Sequence, residues 1–120
     1  MRLWRSSEVS RSRAAGSQSS RVRVASADEI PPDTLRAVAT DVGPVVLVNL
    51  DGDIYALEDR CSHQDYPLSA GEVEDGEVEC AFHGARFDVC TGRATQLPAV
   101  VPVRTFPVEV QGGEVFIRLD

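Results

Sequence analysis

Residues 61–92 read CSHQDYPLSAGEVEDGEVECAFHGARFDVCTG, and they hold two short motifs. Cys61-Ser62-His63 is C-x-H, and Cys80-Ala81-Phe82-His83 is C-x-x-H, with sixteen residues, 64–79, between them. Each motif sets a soft thiolate and an imidazole in one tight loop. Between the motifs, Glu72–Glu74, Asp75-Gly76 and residues 77–80 predict a β-hairpin that would bring the two loops together. Two sulfur and two nitrogen donors suit tetrahedral zinc or a mixed-ligand [2Fe–2S] cluster. Zinc sites mostly pair like ligands within a loop, whereas here each loop supplies one Cys and one His. A single Cys is usually a small buried hydrophobe, and a single His a satisfied polar group. Four such residues at this spacing, in a chain with no other His, point to ligation by Cys61, His63, Cys80 and His83. Cys90 lies outside both motifs and reads as a strand-end cysteine with no part in the site.

The sequence on either side predicts short strands separated by turns. Residues 22–25, 35–39 and 45–50 are β-rich, and Asp51-Gly52 joins the last of these to 54–57 as a hairpin. Residues 85–89 predict another strand, closed by Thr91-Gly92. Residues 103–110, Gly112-Gly113 and 115–119 predict a C-terminal hairpin. Residues 27–30, before Pro31-Pro32, allow one helical turn at most. Regular short strands with few helix signals argue for an all-β chain, an antiparallel barrel or sandwich.

The chain has 120 residues, enough for one small domain, and 42% of them are hydrophobic. Its net charge is −7, unevenly placed. Residues 1–25 carry six Arg against Glu8, or +5; residues 26–120 carry eighteen acidic residues against six Arg, or −12. An acidic body argues against nucleic acid and anionic membrane as partners. There is no Lys, no GxxxxGK and no GxGxxG, so no nucleotide site of those kinds is expected. Both His are needed for the four-ligand set, which leaves none for a facial-triad iron. Residues 1–20 are Arg- and Ser-rich without apolar periodicity and predict a disordered extension; residues 21–120 are the expected folded domain.

The two motifs, with the continuation Gly84-Ala85-Arg86-Phe87-Asp88 and Thr91-Gly92, resemble the Rieske family from about residue 22 to 120. Gln96-Leu97-Pro98-Ala99, then 103–110, is similar to the Pro-containing loop and last hairpin of the small ferredoxins of ring-hydroxylating dioxygenases. The resemblance implies an antiparallel β-sandwich with the cluster-binding loops at one tip. It implies one [2Fe–2S] cluster, with Cys61 and Cys80 on the inner iron and His63 and His83 on the outer. It also implies a soluble, cytoplasmic, monomeric electron carrier in aromatic hydrocarbon catabolism. Its expected partners are a flavin-dependent reductase and a terminal oxygenase. The rival readings are a Rieske-like small subunit of an assimilatory nitrite reductase, a ferredoxin serving a monooxygenase or demethylase, and a zinc-binding interaction module.

Two departures from other Rieske branches carry expectations. Rieske proteins of cytochrome bc complexes place two further cysteines where this chain has Tyr66 and Phe82, so their disulfide cannot form here, which suits a reducing compartment. The high-potential branch places a Ser and a Tyr where this chain has Ala85 and Phe87. Neither can donate a hydrogen bond to sulfur, and the surroundings are acidic, so a low reduction potential is expected.

Overall fold

A computed structural model describes residues 21–62, 66–81 and 84–119. The expected extension over 1–20 lies outside them. The regular structure of the described chain is almost entirely antiparallel β-sheet, and no helix in it is long and apolar enough to cross a membrane.

The strand β3 (Gly43–Leu50) organises the molecule. Val45, Val46, Leu47 and Val48 are all fully buried, so this strand has no solvent face. Side chains alternate across a strand. Val45 and Leu47 therefore enter one core, with Ile30, Phe106, Val115 and Ile117. Val46 and Val48 enter a second, with Leu57, Leu68, Val78 and Phe87. Each buried Val or Leu contributes about 1.5–3 kcal/mol.

Three sheets result. The middle one is β2 (Leu35–Thr40), β3, β4 (Asp53–Glu58) and β9 (Thr105–Phe106), in that order. On one side lie β1 (Arg21–Ser26), β11 (Glu114–Arg118) and β10 (Val108–Gln111). On the other lie β5 (Glu72–Glu74), β6 (Glu77–Glu79), β7 (Arg86–Asp88) and β8 (Ala94–Gln96). The expected sandwich is present, with its middle sheet packed on both faces. The hairpin turns are as expected: Asp51-Gly52 has φ values of 55° and 102°, and Asp75-Gly76 of 55° and 77°, the positive φ pairs that two-residue hairpins require.

Two expectations need correction. The single strand expected over 103–110 is two. Thr105–Phe106 pairs with β4, Val108–Gln111 pairs with β11, and the chain changes sheets at Pro107. Proline has no N–H to give a ladder, so it sits where one pairing ends. The strand Ala94–Gln96 carries no signal in the sequence. It is three residues long, pairs only with β7 and lacks an alternating apolar pattern, so tertiary pairing decides it.

Candidate metal centre

The third sheet and the end of β4 present the two motif loops. Cys61 follows β4 after two residues, and Cys80 follows β6 directly. Both are 1% exposed, both belong to the same apolar cluster, and neither is in a disulfide. The two loops are closed in the same way. The Cys61 N–H donates to the Tyr66 carbonyl at 2.8 Å, and the Cys80 N–H donates to the Ala85 carbonyl at 2.7 Å. Each closure ties residue i to residue i+5, so one local design is used twice. By sequence, each closed segment contains one imidazole, His63 in the first and His83 in the second. Both histidines lie outside the described residues.

Residues without a sequence signature hold these loops together. Asp59, 5% exposed, accepts from the Ser69 N–H on Oδ1 and from the Ser69 hydroxyl on Oδ2, each at 2.7 Å. Its own N–H donates to the Pro44 carbonyl. The carboxylate thus pins the short 3₁₀ turn Leu68–Ala70 to the root of the Cys61 loop. Gly71 follows that turn with φ −95°, so glycine is not required there by backbone conformation. It is required by space: an added Cβ would collide with the backbone carbonyl of Glu79, the residue before Cys80. The exit of the first loop therefore lies directly against the entry of the second. The Ser62 hydroxyl donates to the Val101 carbonyl and ties the first loop to residues 97–101, where Leu97, Val100 and Val101 are exposed.

The donor set fits a soft metal core. A buried thiolate is costly unless a positive partner compensates it, and two buried cysteines share one apolar cluster here without a disulfide. Thiolate and imidazole together select zinc or iron–sulfur centres. Ala85 and Phe87 are both fully buried, and neither carries a hydroxyl.

Cys90 stands apart. It is exposed and belongs to neither core cluster, and its N–H donates to Asp88 Oδ1 at 2.9 Å. Interaction with Cys90 above all, then desolvation and the nearby charges of Asp53 and Asp88, holds the Tyr55 phenol above its ordinary pKa.

Residues 20–107 match the Rieske [2Fe-2S] domain family. The ferredoxin component of biphenyl 2,3-dioxygenase from Rhodococcus jostii (strain RHA1) is 39% identical over 98 residues, covering 82% of this chain and 92% of the relative. The 3-phenylpropionate/cinnamic acid dioxygenase ferredoxin subunit of Escherichia coli (strain K12) is 47% identical over 85 residues, covering 69% and 80%. The ferredoxin of carbazole 1,9a-dioxygenase from Nocardioides aromaticivorans IC177 superposes with a TM-score of 0.81 at 37% identity, covering 84% of this chain and 99% of that one. Paired loops rooted on two buried cysteines, with this match across most of the sequence, lead to one conclusion: the chain belongs to the Rieske [2Fe–2S] family, whose cofactor is a single such cluster.

Proposed function

We propose that this chain is the ferredoxin component of a multicomponent ring-hydroxylating dioxygenase. It takes one electron at a time from a flavin-dependent reductase and passes it to a terminal oxygenase, as a carrier and not a catalyst. The observation that carries this reading is the pair of identically closed loops rooted on Cys61 and Cys80 in one apolar cluster. The names of its relatives, ferredoxin components of dioxygenases, support the assignment to such a system.

In this reading Cys61, His63, Cys80 and His83 hold the cluster, which supplies a one-electron redox couple when bound. The chain's own residues do the rest. The buried Cys61 and Cys80 keep their sulfurs away from water. Asp59 and Gly71 fix the spacing of the two loops, and the apolar Ala85 and Phe87 withhold hydrogen bonds from sulfur. The protein acts as a monomer in the cytoplasm, and the absence of cysteine at Tyr66 and Phe82 suits a reducing compartment.

The deciding experiment is electron paramagnetic resonance with metal analysis on the purified chain, followed by reconstitution with a reductase and candidate oxygenases. A brown protein with a rhombic signal on reduction, required for turnover, is expected. Bound zinc with no such signal would overturn the reading. His83→Ala is expected to abolish the signal and Cys90→Ser to leave it intact. Loss of the signal in Cys90→Ser would overturn the ligand assignment.

A further inference from the structure

The sheet that carries the second loop has two contrasting faces. Val73, Val78 and Phe87 turn toward the core. On the other face the register sets Glu72 opposite Glu79, Glu74 opposite Glu77, and Glu77 opposite Asp88. Like charges directly opposite destabilise an antiparallel pair. Arg86 is the only basic residue on these four strands.

Its side chain reaches across two neighbouring strands. Nε donates to Glu77 Oε1 at 2.7 Å, and Nη1 lies 3.6 Å from Glu79 and 3.7 Å from Glu74. Nη2 donates to the Glu74 backbone carbonyl at 3.1 Å. The Arg86 side chain is 19% exposed, whereas the Glu79 and Glu74 side chains are 42% and 68% exposed. Pinning the hairpin would be a sufficient structural role, but the location adds a second one. Glu79 immediately precedes Cys80, and Arg86 immediately follows Ala85, whose carbonyl closes the loop. Glu79 and Arg86 also face each other in the ladder. The ion pair is therefore the foot of the second ligand loop. If the Cys80 loop holds the cluster, its reduction would add one negative charge near this foot, and charge there would weigh on the redox equilibrium.

We propose that Arg86 is a positioning residue for charge: by holding a cation among Glu74, Glu77 and Glu79 at the foot of the Cys80 loop, it sets the reduction potential of the centre. The inference rests on Cys61, His63, Cys80 and His83 being the ligands. Removing the cation leaves the local carboxylates uncompensated and disfavours the reduced state. Partly exposed charges act through a high effective dielectric, so the equilibrium constant for reduction shifts about two- to fivefold. That corresponds to ~20–40 mV at about 59 mV per tenfold.

The test is voltammetry of the cluster-loaded protein at one pH in low and high salt, with the resonance spectrum and melting temperature recorded on each sample. Arg86→Gln lowers the potential by that amount, Arg86→Lys restores most of it, and Glu79→Gln raises it. The shifts shrink at high salt. A loaded Arg86→Gln protein that melts lower but keeps the wild-type potential would leave Arg86 a purely structural role and overturn the proposal. If Arg86→Gln does not load, Glu79→Gln decides, and an unchanged or lowered potential there overturns it equally. A wild type without the rhombic signal would instead remove the ligand reading underneath.

Discussion

Phe87 occupies a position where one oxygen atom changes the chemistry. It is fully buried on β7, in the same apolar cluster as Cys61 and Cys80. A donor to sulfur favours the reduced, more negative state, and neither Phe87 nor Ala85 offers one. The wild-type potential is therefore expected near the bottom of the Rieske range, roughly −150 mV. Phe87→Tyr adds a hydroxyl inside this cluster. If it donates to a ligand sulfur, a differential contribution of about 1–2 kcal/mol raises the potential by roughly 40–85 mV. A buried hydroxyl without a partner costs about 1–3 kcal/mol instead, so voltammetry and thermal melting together separate the outcomes. A second residue-scale prediction concerns Tyr55. Its phenol pKa is raised, first through its interaction with Cys90. A group whose folded pKa lies above its unfolded value stabilises fully below the unfolded pKa, about 10 for Tyr. That contribution is lost as pH rises through the folded value. Cys90→Ala should lower the alkaline absorbance midpoint of Tyr55 toward that ordinary value. An unmoved midpoint would show that Cys90 is not the cause.

The paired loops depend on contacts between elements more than on their own residues. Asp59 reaches Ser69 ten positions on, and Gly71 makes room for Glu79 eight positions on. Asp59→Ala leaves the Ser69 donors without their carboxylate, a loss of about 1–3 kcal/mol or several degrees of Tm. Gly71→Ala forces the Cys61 and Cys80 loops apart, and the iron content of the purified protein should fall along with the melting temperature. Normal iron content in Gly71→Ala would mean that the spacing of the loops is not critical. These supports also mark the limit of what the sequence reveals. The ligand motifs are legible because cysteine and histidine at fixed short spacing carry their chemistry locally. Asp51-Gly52 and Asp75-Gly76 are legible because their turns need positive φ. A lone Asp or Gly in a loop carries no such local signal, and neither does the reach of Arg86 across two strands. The sheet change at Pro107 was hidden for a related reason: proline marks that a pairing ends, without saying which sheet receives the chain next.

Across the whole molecule, charge and apolar surface are separated. Residues 26–120 carry −12, while residues 1–25 carry +5. Beside the Cys61 loop, Leu97, Val100 and Val101 are 72%, 73% and 57% exposed, and Ser62 ties their segment to that loop. On the proposed function, such an arrangement would divide the work of docking: the acidic body is expected to steer a basic partner face into encounter, and the apolar segment to make the contact that excludes water. On the same proposal, the terminal oxygenase is expected to cover this segment. Steering by exposed charge falls as the Debye length shrinks from ~10 Å at 0.1 M salt to ~3 Å at 1 M. The second-order rate of electron transfer to the oxygenase should therefore fall steeply over that range, and stopped-flow bleaching of the reduced ferredoxin would measure it. Deleting residues 1–20 removes a cationic segment, so it should raise the low-salt rate and leave the cluster spectrum unchanged. Val100→Asp should behave differently. It places a charge in the contact without adding much to the long-range field, so it should weaken binding at every salt concentration and leave the potential where it was. A rate indifferent to ionic strength would remove the steering half of this account, and normal binding by Val100→Asp would remove the contact half.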